Sequence, residues 1–336
     1  MNLTFEQIKD ITLGAARIEE CADGVRFFRF TKEQEDAYFA YSDDFYKKSL
    51  STAGIRLEFL TDSRHLSISF TIHPSWSSTK RTYSLAVFVS GNRLGTLGTS
   101  DTSGGHFEGT YELPEGENKV TVYLPWSATI TLHALTLDDG AAIAHVKKKC
   151  RMLMFGDSIT HGYEATEPEL SYASQLADAL DADARNKAIG GEVFFPTLAS
   201  LRDDFEPDYI TVAYGINDWS KTKKEVFDRN CRLFYETLSA AYPGAKIFAL
   251  TPIWYGREHV DTELHAPVSY VTEYIRLVAN DLPNVTCICG RNFVPHDPSC
   301  FQPDLLHPND IGFSHYAESL IAALKEHLPK DAFSQV

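Results

Sequence analysis

Residues 152–165, MLMFGDSITHGYEA, decide how the chain is organised. An apolar run ends at Gly156-Asp157-Ser158 and passes into residues that can start a helix, which is the pattern of a buried strand followed by a helix. Ser and Asp are favoured at helix N-termini because their side-chain oxygens accept hydrogen bonds from the free N–H groups of the first turn. The stretch alone therefore leaves two interpretations of Ser158 open, as a helix cap or as a nucleophile presented at the end of a strand.

The composition limits the classes of partner. The 336 residues include 31 basic and 46 acidic side chains, which gives a net charge of −15. Such a surface repels phosphate backbones and anionic lipid, so neither nucleic acid nor a membrane is an expected partner. Neutral substrates fit this charge better, and the oligomeric state stays open.

The N-terminal sequence and the cysteines indicate the compartment and the cofactor requirement. MNLTFEQIKDITLGAARIEE lacks the basic and apolar regions of a signal peptide, and no apolar run is long enough to span a bilayer. We expect a cytoplasmic location, although the mature form of an exported protein would look similar. The six cysteines lack the spacing of a zinc site, so we expect reduced thiols and neither a metal nor another cofactor.

The first half of the chain has the pattern of β-strands. Residues 66–72, LSISFTI, alternate apolar and hydroxyl side chains, as expected of an antiparallel strand with one buried face. Similar runs follow at 85–89, 120–124 and 130–132, with turn signals between them. The pattern predicts a β-sandwich or jelly-roll domain over residues 1–147, and no cluster of candidate catalytic residues lies within it.

The second half alternates between strand and helix patterns. Strands are predicted at 152–155, 185–189, 209–213, 246–251 and 285–289, and helices at 171–180, 223–241, 264–280 and 310–324. Five such units predict an α/β domain over residues 148–336, with a five-stranded parallel sheet covered on both faces. Reactive residues in such sheets lie at the carboxyl ends of the strands, which is where Ser158 is expected.

Three further polar stretches also follow predicted strands or precede the last helix: NKAIGGEVFF (186–195), VAYGINDWS (212–220) and QPDLLHPND (302–310). With the opening stretch they resemble the four sequence blocks of the SGNH (GDSL) hydrolase superfamily, whose fold is flavodoxin-like. The matching residues are Gly156-Asp157-Ser158-Ile159, then Gly191, then Gly215-x-Asn217-Asp218, and finally Asp304-x-x-His307-Pro308. Glu192, Phe194 and Phe195 depart from the smaller residues that are common after the second block.

The resemblance implies a serine esterase. Ser158 would be the nucleophile, His307 its general base, and Asp304 the carboxylate that orients the imidazole. The backbone N–H groups of Ser158 and Gly191 and the side-chain amide of Asn217 would form the oxyanion hole. Asp157 and Asp218 are predicted to be structural residues that hydrogen-bond their own loops.

The substrate is less clearly indicated. Trp219, Trp254 and Tyr255 are candidate sugar-binding residues because they follow strands at the same edge of the sheet. A β-sandwich ahead of an SGNH domain resembles carbohydrate O-acetyl esterases, which implies removal of acetyl groups from a sugar or oligosaccharide through an acyl-serine intermediate. The alternatives are a general short-chain acyl esterase or thioesterase and, in another class, a non-catalytic carbohydrate-binding protein.

The connection between the two predicted domains is short. Only residues 145–150 separate them, so we expect the sandwich to dock rigidly on the second domain, as a wall of the cleft or against the helices. Trp76 and Trp126 would then be candidates for additional sugar contacts, with ordinary packing inside the sandwich as the alternative.

Overall fold

Two antiparallel sheets occupy the first half of the chain, and one parallel sheet occupies the second half. The computed structural model describes residues 1–73, 83–99, 103–257 and 261–334. Trp76, one of the candidate sugar-binding residues, lies outside the described residues.

The strands of the first half are β1 (Thr12–Leu13), β2 (Arg17–Cys21), β3 (Gly24–Phe28), β4 (Arg56–Thr61), β5 (His65–Ile72), β6 (Tyr83–Val89), β7 (Asn92–Thr99), β8 (Gly105–Glu112), β9 (Asn118–Tyr123), β10 (Ile130–Leu137) and β11 (Ile143–His145). One sheet has the order β1-β4-β9-β6-β7 with β11 beside β4, and the other has the order β2-β3-β10-β5-β8. Phe59 and Val122 from the first sheet and Phe70 and Leu132 from the second belong to one buried core. The predicted sandwich is confirmed.

Helices in the first half were not expected from its strand-like pattern. The structure contains α1 (Phe5–Asp10), α2 (Lys32–Tyr41) and α3 (Asp43–Ser49). The first two begin with capping boxes, in which Thr4 pairs with Gln7 and Thr31 pairs with Gln34. A threonine followed three residues later by glutamine is a sequence signal for a helix start, and it could have revealed both helices.

The second half forms the predicted parallel sheet. Its strands are β12 (Cys150–Gly156), β13 (Ala182–Asn186), β14 (Tyr209–Ala213), β15 (Lys246–Leu250) and β16 (Val285–Ile288), in the order β13-β12-β14-β15-β16 and all parallel. Its helices are α4 (Ser158–His161), α5 (Tyr172–Ala179), α6 (Pro196–Ser200), α7 (Ile216–Lys221), α8 (Lys224–Ala241), α9 (Val268–Asn280) and α10 (Asp310–Leu324). Neighbouring carboxyl ends meet at one edge of this sheet, which positions the predicted site.

Two boundaries differ from the prediction. The second strand is at 182–186 rather than 185–189, and Arg185 within this edge strand is buried in a 2.7 Å ion pair with Asp203. The helix predicted from residue 264 begins at Val268, since Pro267 is its cap and the residue before a proline is disfavoured in helices.

A buried arginine joins the two halves. The guanidinium of Arg29, at the end of β3, is completely buried and donates to Asn186 O at 2.8 Å and to Ala188 O at 2.9 Å. The same group donates to Lys48 O and to the carbonyl and hydroxyl oxygens of Ser51 at 2.9–3.0 Å. Every one of these contacts satisfies a polar group, so the halves are held together by a polar network as well as by apolar packing.

Two lysines add to this junction. Lys187, which is fully buried, donates to Arg29 O at 2.7 Å and forms a 2.7 Å ion pair with Asp203. Lys148, in the connection between the halves, is also buried and pairs with Glu58 of β4 and with Asp181. The two ion pairs compensate the burial of the Lys148 side chain. The rigid docking that we predicted remains a prediction, and the domain boundary at residue 147 does too.

We expect Arg29→Met to lower the free energy of unfolding by at least about 3 kcal/mol, because several buried carbonyl oxygens would each lose a charge-assisted hydrogen bond. Urea unfolding followed by circular dichroism measures the change. Arg276→Met is the matched control, since Arg276 pairs with Glu273 on an exposed helix face and should have almost no effect. Equal effects of the two substitutions would contradict the role of Arg29.

Deletion of residues 1–145 should give an insoluble or unstable fragment. The fragment would expose Lys187 and the Asn186 and Ala188 carbonyls, which Arg29 satisfies in the whole chain. Expression of residues 146–336, with solubility and kinetics compared with those of the whole chain, tests this expectation. A soluble fragment with unchanged kinetics would show that the sandwich is an independent appendage.

Candidate functional site

Ser158 is not the residue that caps α4, the helix that follows the first strand of the parallel sheet. Strand β12 ends at Gly156, and Asp157 is the N-cap of α4, with its carboxylate accepting from Ile159 N at 3.1 Å. A side chain at Gly156 would collide with Thr160, so glycine is required for this tight turn. Because Asp157 supplies the cap, the hydroxyl of Ser158 is left for another partner.

That partner is His307. Its Nε2 lies 2.8 Å from Ser158 Oγ, and its Nδ1 lies 2.6 Å from Asp304 Oδ2. With the Nδ1 proton donated to Asp304, Nε2 is free to accept the hydroxyl proton of Ser158. The three side chains therefore form one hydrogen-bonded chain, although Ser158 and His307 are 149 positions apart in sequence.

The loop that carries His307 is fixed by the carboxylate of Asp304. Its Oδ1 accepts from the backbone N–H groups of Leu306 and His307 at 2.9 and 3.0 Å. Partial burial raises the pKa of Asp304, but the hydrogen bond from His307 and the two backbone donors outweigh it and lower the pKa to about 2. Asp304 is thus an anion at neutral pH and stabilises a positive charge on His307.

Gly191 and Asn217 provide hydrogen-bond donors at the same edge of the sheet. Gly191 has a φ of +87°, a conformation that favours glycine. Asn217 lies in the first turn of α7, and its Nδ2 is buried without a hydrogen-bond acceptor among the described residues. An unpaired buried amide is costly in a folded protein, so this donor is available to an acceptor from outside the described residues.

Side-chain packing brings these strand ends together. A small cavity of about 20 Å³ is lined by the sequence neighbours of three candidate residues, Asp157, Ile216 and Leu306. The Tyr163 ring stacks on His307 at 6.1 Å between centroids and also covers Gly190, where a Cβ atom would lie 2.3 Å from the ring. Tyr163 was not predicted, and it places the glycine loop beside His307.

A second histidine holds the glycine loop. Nδ1 of His161 accepts from Gly190 N at 3.2 Å, while its Nε2 contacts Ser51 Oγ at 2.9 Å and Trp126 O at 3.1 Å. Burial lowers the pKa of His161 well below its ordinary value, so the ring is neutral and can accept at Nδ1. Sequence reasoning did not find this role, because Ser51 and Trp126 come from the other half of the chain.

Three carboxyl groups are buried around the glycine loop. Glu192 accepts from Tyr38 Oη at 2.7 Å and Tyr214 Oη at 2.8 Å, and Asp218 accepts from Phe194 N at 3.2 Å. Burial raises the pKa of both Glu192 and Asp218 to about 8, and raises that of Asp157 to about 6. Glu192, a departure from the family pattern, therefore links helix α2 to strand β14 through its two tyrosines.

The aromatic candidates differ in exposure. Trp219 is 2% exposed and its indole N–H donates to Ala266 O, so it offers no face to a substrate. Trp126 is 3% exposed, donates to Ala165 O and packs with the buried residues of the second half, so it offers no face to a sugar and lies outside the core of the sandwich. Trp254 and Tyr255 are half-buried, and the adjoining Gly256 N donates to Leu305 O in the loop of His307.

Among the described residues, no group of three His, Cys, Asp or Glu side chains is arranged to hold a metal ion. In the same part of the chain, each helix is too short or too polar to cross a lipid bilayer.

Residues 154–314 match the family described as GDSL-like Lipase/Acylhydrolase. A search of curated protein sequences finds no match.

Solved structures match the fold over almost the whole chain. The salicylyl-acyltransferase SsfX3 from a tetracycline biosynthetic pathway has a TM-score of 0.81 and 22% identity, covering 93% of this chain and 94% of its own. A family two carbohydrate esterase from Clostridium thermocellum has a TM-score of 0.69 and 17% identity, with coverages of 94% and 98%. The family two carbohydrate esterase from Cellvibrio japonicus has a TM-score of 0.67 and 17% identity, with coverages of 95% and 96%.

The matched segment contains Ser158, Gly191, Asn217 and His307, the residues that correspond to the four blocks, at one edge of a parallel sheet behind a β-sandwich. The chain therefore carries a GDSL-like lipase/acylhydrolase domain over residues 154–314.

Proposed function

We propose that the protein is a serine esterase that removes short acyl groups, above all acetyl, from carbohydrate through an acyl-serine intermediate. The observation that carries the proposal is the hydrogen-bonded chain from Ser158 through His307 to Asp304, with distances of 2.8 and 2.6 Å. A serine hydroxyl is a weak nucleophile at neutral pH and needs an adjacent base of this kind.

The reaction follows from the positions of the three side chains. His307 Nε2 takes the hydroxyl proton as Ser158 Oγ attacks the ester carbon, and the carbonyl oxygen becomes an oxyanion. Collapse of this intermediate breaks the bond to the sugar oxygen, which leaves with the proton from His307. His307 then deprotonates a water molecule that attacks the acyl-serine, which releases the carboxylic acid and restores Ser158.

Asn217 and the glycine loop would stabilise the oxyanion. The buried Nδ2 of Asn217 lacks an acceptor among the described residues, and the backbone N–H groups of Ser158 and Gly191 would complete the set. Donors that are fixed before the reaction require no reorganisation when charge develops, and one such donor is typically worth about 10²–10³ in rate.

A short acyl group and a sugar are supported by separate observations. The cavity beside the site is only about 20 Å³ and is lined largely by apolar groups, including those of Ile216, Ile253 and Leu306. A space of that size holds about one water-sized group. Trp254 and Tyr255 offer partly exposed rings beside the His307 loop, and two of the matched structures are titled carbohydrate esterases.

Transfer of the acyl group to an acceptor other than water is a second candidate. The matched SsfX3 structure is titled an acyltransferase, and an acyl-serine can in principle be attacked by either an alcohol or water. Acetate release measured with and without added alcohol acceptors separates hydrolysis from transfer. A general short-chain esterase or thioesterase would show comparable rates on esters without a sugar.

We expect Ser158→Ala and His307→Ala each to lower kcat by at least about 10³-fold, and the double variant to be little worse than either, since the residues act as one unit. Turnover of p-nitrophenyl acetate and acetate release from acetylated oligosaccharides measure the effect. Ser200→Ala and His145→Ala, both on exposed surface, are the matched controls.

Near-native activity of a folded Ser158→Ala protein would contradict the proposed mechanism. Binding of an acetylated oligosaccharide by the unaltered chain with no turnover would instead favour a non-catalytic carbohydrate-binding protein.

Acetyl and propionyl esters should react about 10²-fold faster in kcat/KM than octanoyl esters, a difference of about 2.7 kcal/mol in the transition state. The small cavity would exclude the longer chains. Ile253→Ala, which enlarges the cavity, should shift the preference toward longer esters. Ile288→Ala, a buried isoleucine away from the cavity, is its control. A preference for long chains in the unaltered protein would favour a lipase or a long-chain thioesterase.

A further inference from the structure

Two lysines and an aromatic ring surround the open side of Gly191. A Cβ atom built on this glycine would lie 3.6 Å from Lys221 Nζ, 3.9 Å from Lys48 Nζ and 3.8 Å from Phe45 Cε1. The space next to this candidate oxyanion donor is therefore bordered by two ammonium groups, in a protein whose net charge is −15.

Both halves of the chain contribute to this arrangement. Lys221 follows Asn217 by one turn of α7, so the ammonium and the candidate oxyanion amide share one face of the helix. Lys48 and Phe45 come from α3 of the first half and are likewise one turn apart. The ring of Phe45 continues into an aromatic wall with Tyr41, at 5.8 Å between centroids.

The two lysines differ in how they are compensated. Lys48 pairs with Asp44 at 2.6 Å and donates to Gly190 O at 2.9 Å. Lys221 has only a long contact of 3.4 Å to Gly191 O, and no carboxylate among the described residues forms an ion pair with it. Partial desolvation of this exposed side chain, together with repulsion from Lys48, lowers the pKa of Lys221, while the carboxyl groups of Asp157, Asp44 and Asp218 act in the opposite direction from a distance.

We infer that Lys221, with Lys48, forms a subsite for a carboxylate on the substrate, next to the ester that is cleaved. The carboxylate would supply the counter-ion that Lys221 lacks. The ring of Phe45 would pack against the apolar atoms of the substrate next to that carboxylate. Two substrates carry this chemistry: an acidic sugar with a uronate carboxylate, and a half-ester of a dicarboxylic acid, in which the acyl group is charged. The inference rests on the proposed function for the location of the ester.

Such a subsite would allow a protein of negative net charge to select an anionic substrate. A local positive charge at the mouth of a cleft raises the concentration of an anion there even when the net charge is negative. The effect is screened by salt, because the Debye length at physiological ionic strength is about 8 Å. The preference for a carboxylate should therefore decline as ionic strength rises.

Turnover of matched pairs of esters tests the inference and separates the two sources. The sugar pair is a mono-acetylated methyl glucuronoside and the corresponding methyl glucoside, and the acyl pair is 4-nitrophenyl hemisuccinate and 4-nitrophenyl butyrate. In the unaltered protein, the charged member of one pair should have the higher kcat/KM, which identifies the source of the carboxylate. Lys221→Met should lower that charged-to-neutral ratio about tenfold.

Three further variants and a salt series make the result specific. Lys221→Arg keeps the positive charge and should retain most of the charged-to-neutral ratio of kcat/KM. This result would show that the lower ratio of Lys221→Met comes from the lost charge and not from misfolding. Lys223→Met removes an exposed lysine two residues away and should leave the ratio unchanged. Lys48→Met should lower the ratio less than Lys221→Met, since Asp44 already neutralises Lys48. If Lys221→Met lowers both members of a pair equally, Lys221 only positions the glycine loop and the inference is wrong.

Calorimetric binding by the Ser158→Ala protein provides a readout that does not depend on turnover. The probes are glucuronate and monomethyl succinate, with methyl glucoside as the neutral reference. We expect tighter binding of one carboxylate, weakened about tenfold by adding Lys221→Met. If neither carboxylate binds more tightly than the neutral reference, the subsite is refuted whatever the esterase assays give. If a carboxylate binds but the unaltered chain hydrolyses no ester, the subsite stands and the proposed function fails.

Discussion

The hydrogen bonds of the Arg29 guanidinium are the constraint on which both the fold and the candidate site depend. The group is completely buried between α3 and the loop after β13, and it satisfies the carbonyl oxygens of Lys48, Asn186 and Ala188. Burial lowers its pKa to about 10, so the arginine stays charged at neutral pH. One side chain thus fixes the distance between a helix of the sandwich half and the loop that leads to Gly191.

The position of that loop determines what surrounds the candidate oxyanion donors. His161 accepts from Gly190 N and Lys48 donates to Gly190 O, so both polar groups of this residue are held. Gly191 can then keep its φ of +87°. The sandwich half is therefore part of the site's scaffold, although each of the five residues predicted to be catalytic or to form the oxyanion hole belongs to the second half.

Much of the fold could be predicted from the sequence because both halves follow simple periodic patterns. Alternation in β5 and the continuous apolar run at residues 152–155 of β12 identify one antiparallel and one parallel arrangement. Ser158, Asn217 and Gly191 could be assigned to one edge because the carboxyl ends of parallel strands lie together. The hydrogen bonds among Ser158, His307 and Asp304 agree with this assignment.

What the sequence could not predict depends on contacts between distant residues. Arg29, His161 and Lys48 have partners more than 100 positions away, and no local pattern marks them. Exposure is equally invisible in the sequence. Trp219 was a candidate on the same ground as Trp254, and Trp126 was one because the sandwich was expected to dock on the second domain, yet both side chains are buried. Helices α1 and α2 were missed although their capping boxes are present, because the strand pattern around them was stronger.

The charges around Gly191 show why these long-range contacts matter for chemistry. Glu192 and Asp218 have pKa values near 8 because they are buried, so at neutral pH they are mostly protonated and contribute little negative charge. Lys48 and Lys221 lie on the open side of the same glycine. An oxyanion that forms there would meet these largely neutral carboxyls, the Asp157 carboxylate, whose pKa of about 6 leaves it mostly ionised at pH 7, and the ammonium groups of Lys221 and Lys48, of which Lys48 is paired with Asp44. The packing of the two halves therefore brings two ammonium groups close to a developing negative charge, which the overall charge of −15 would not suggest.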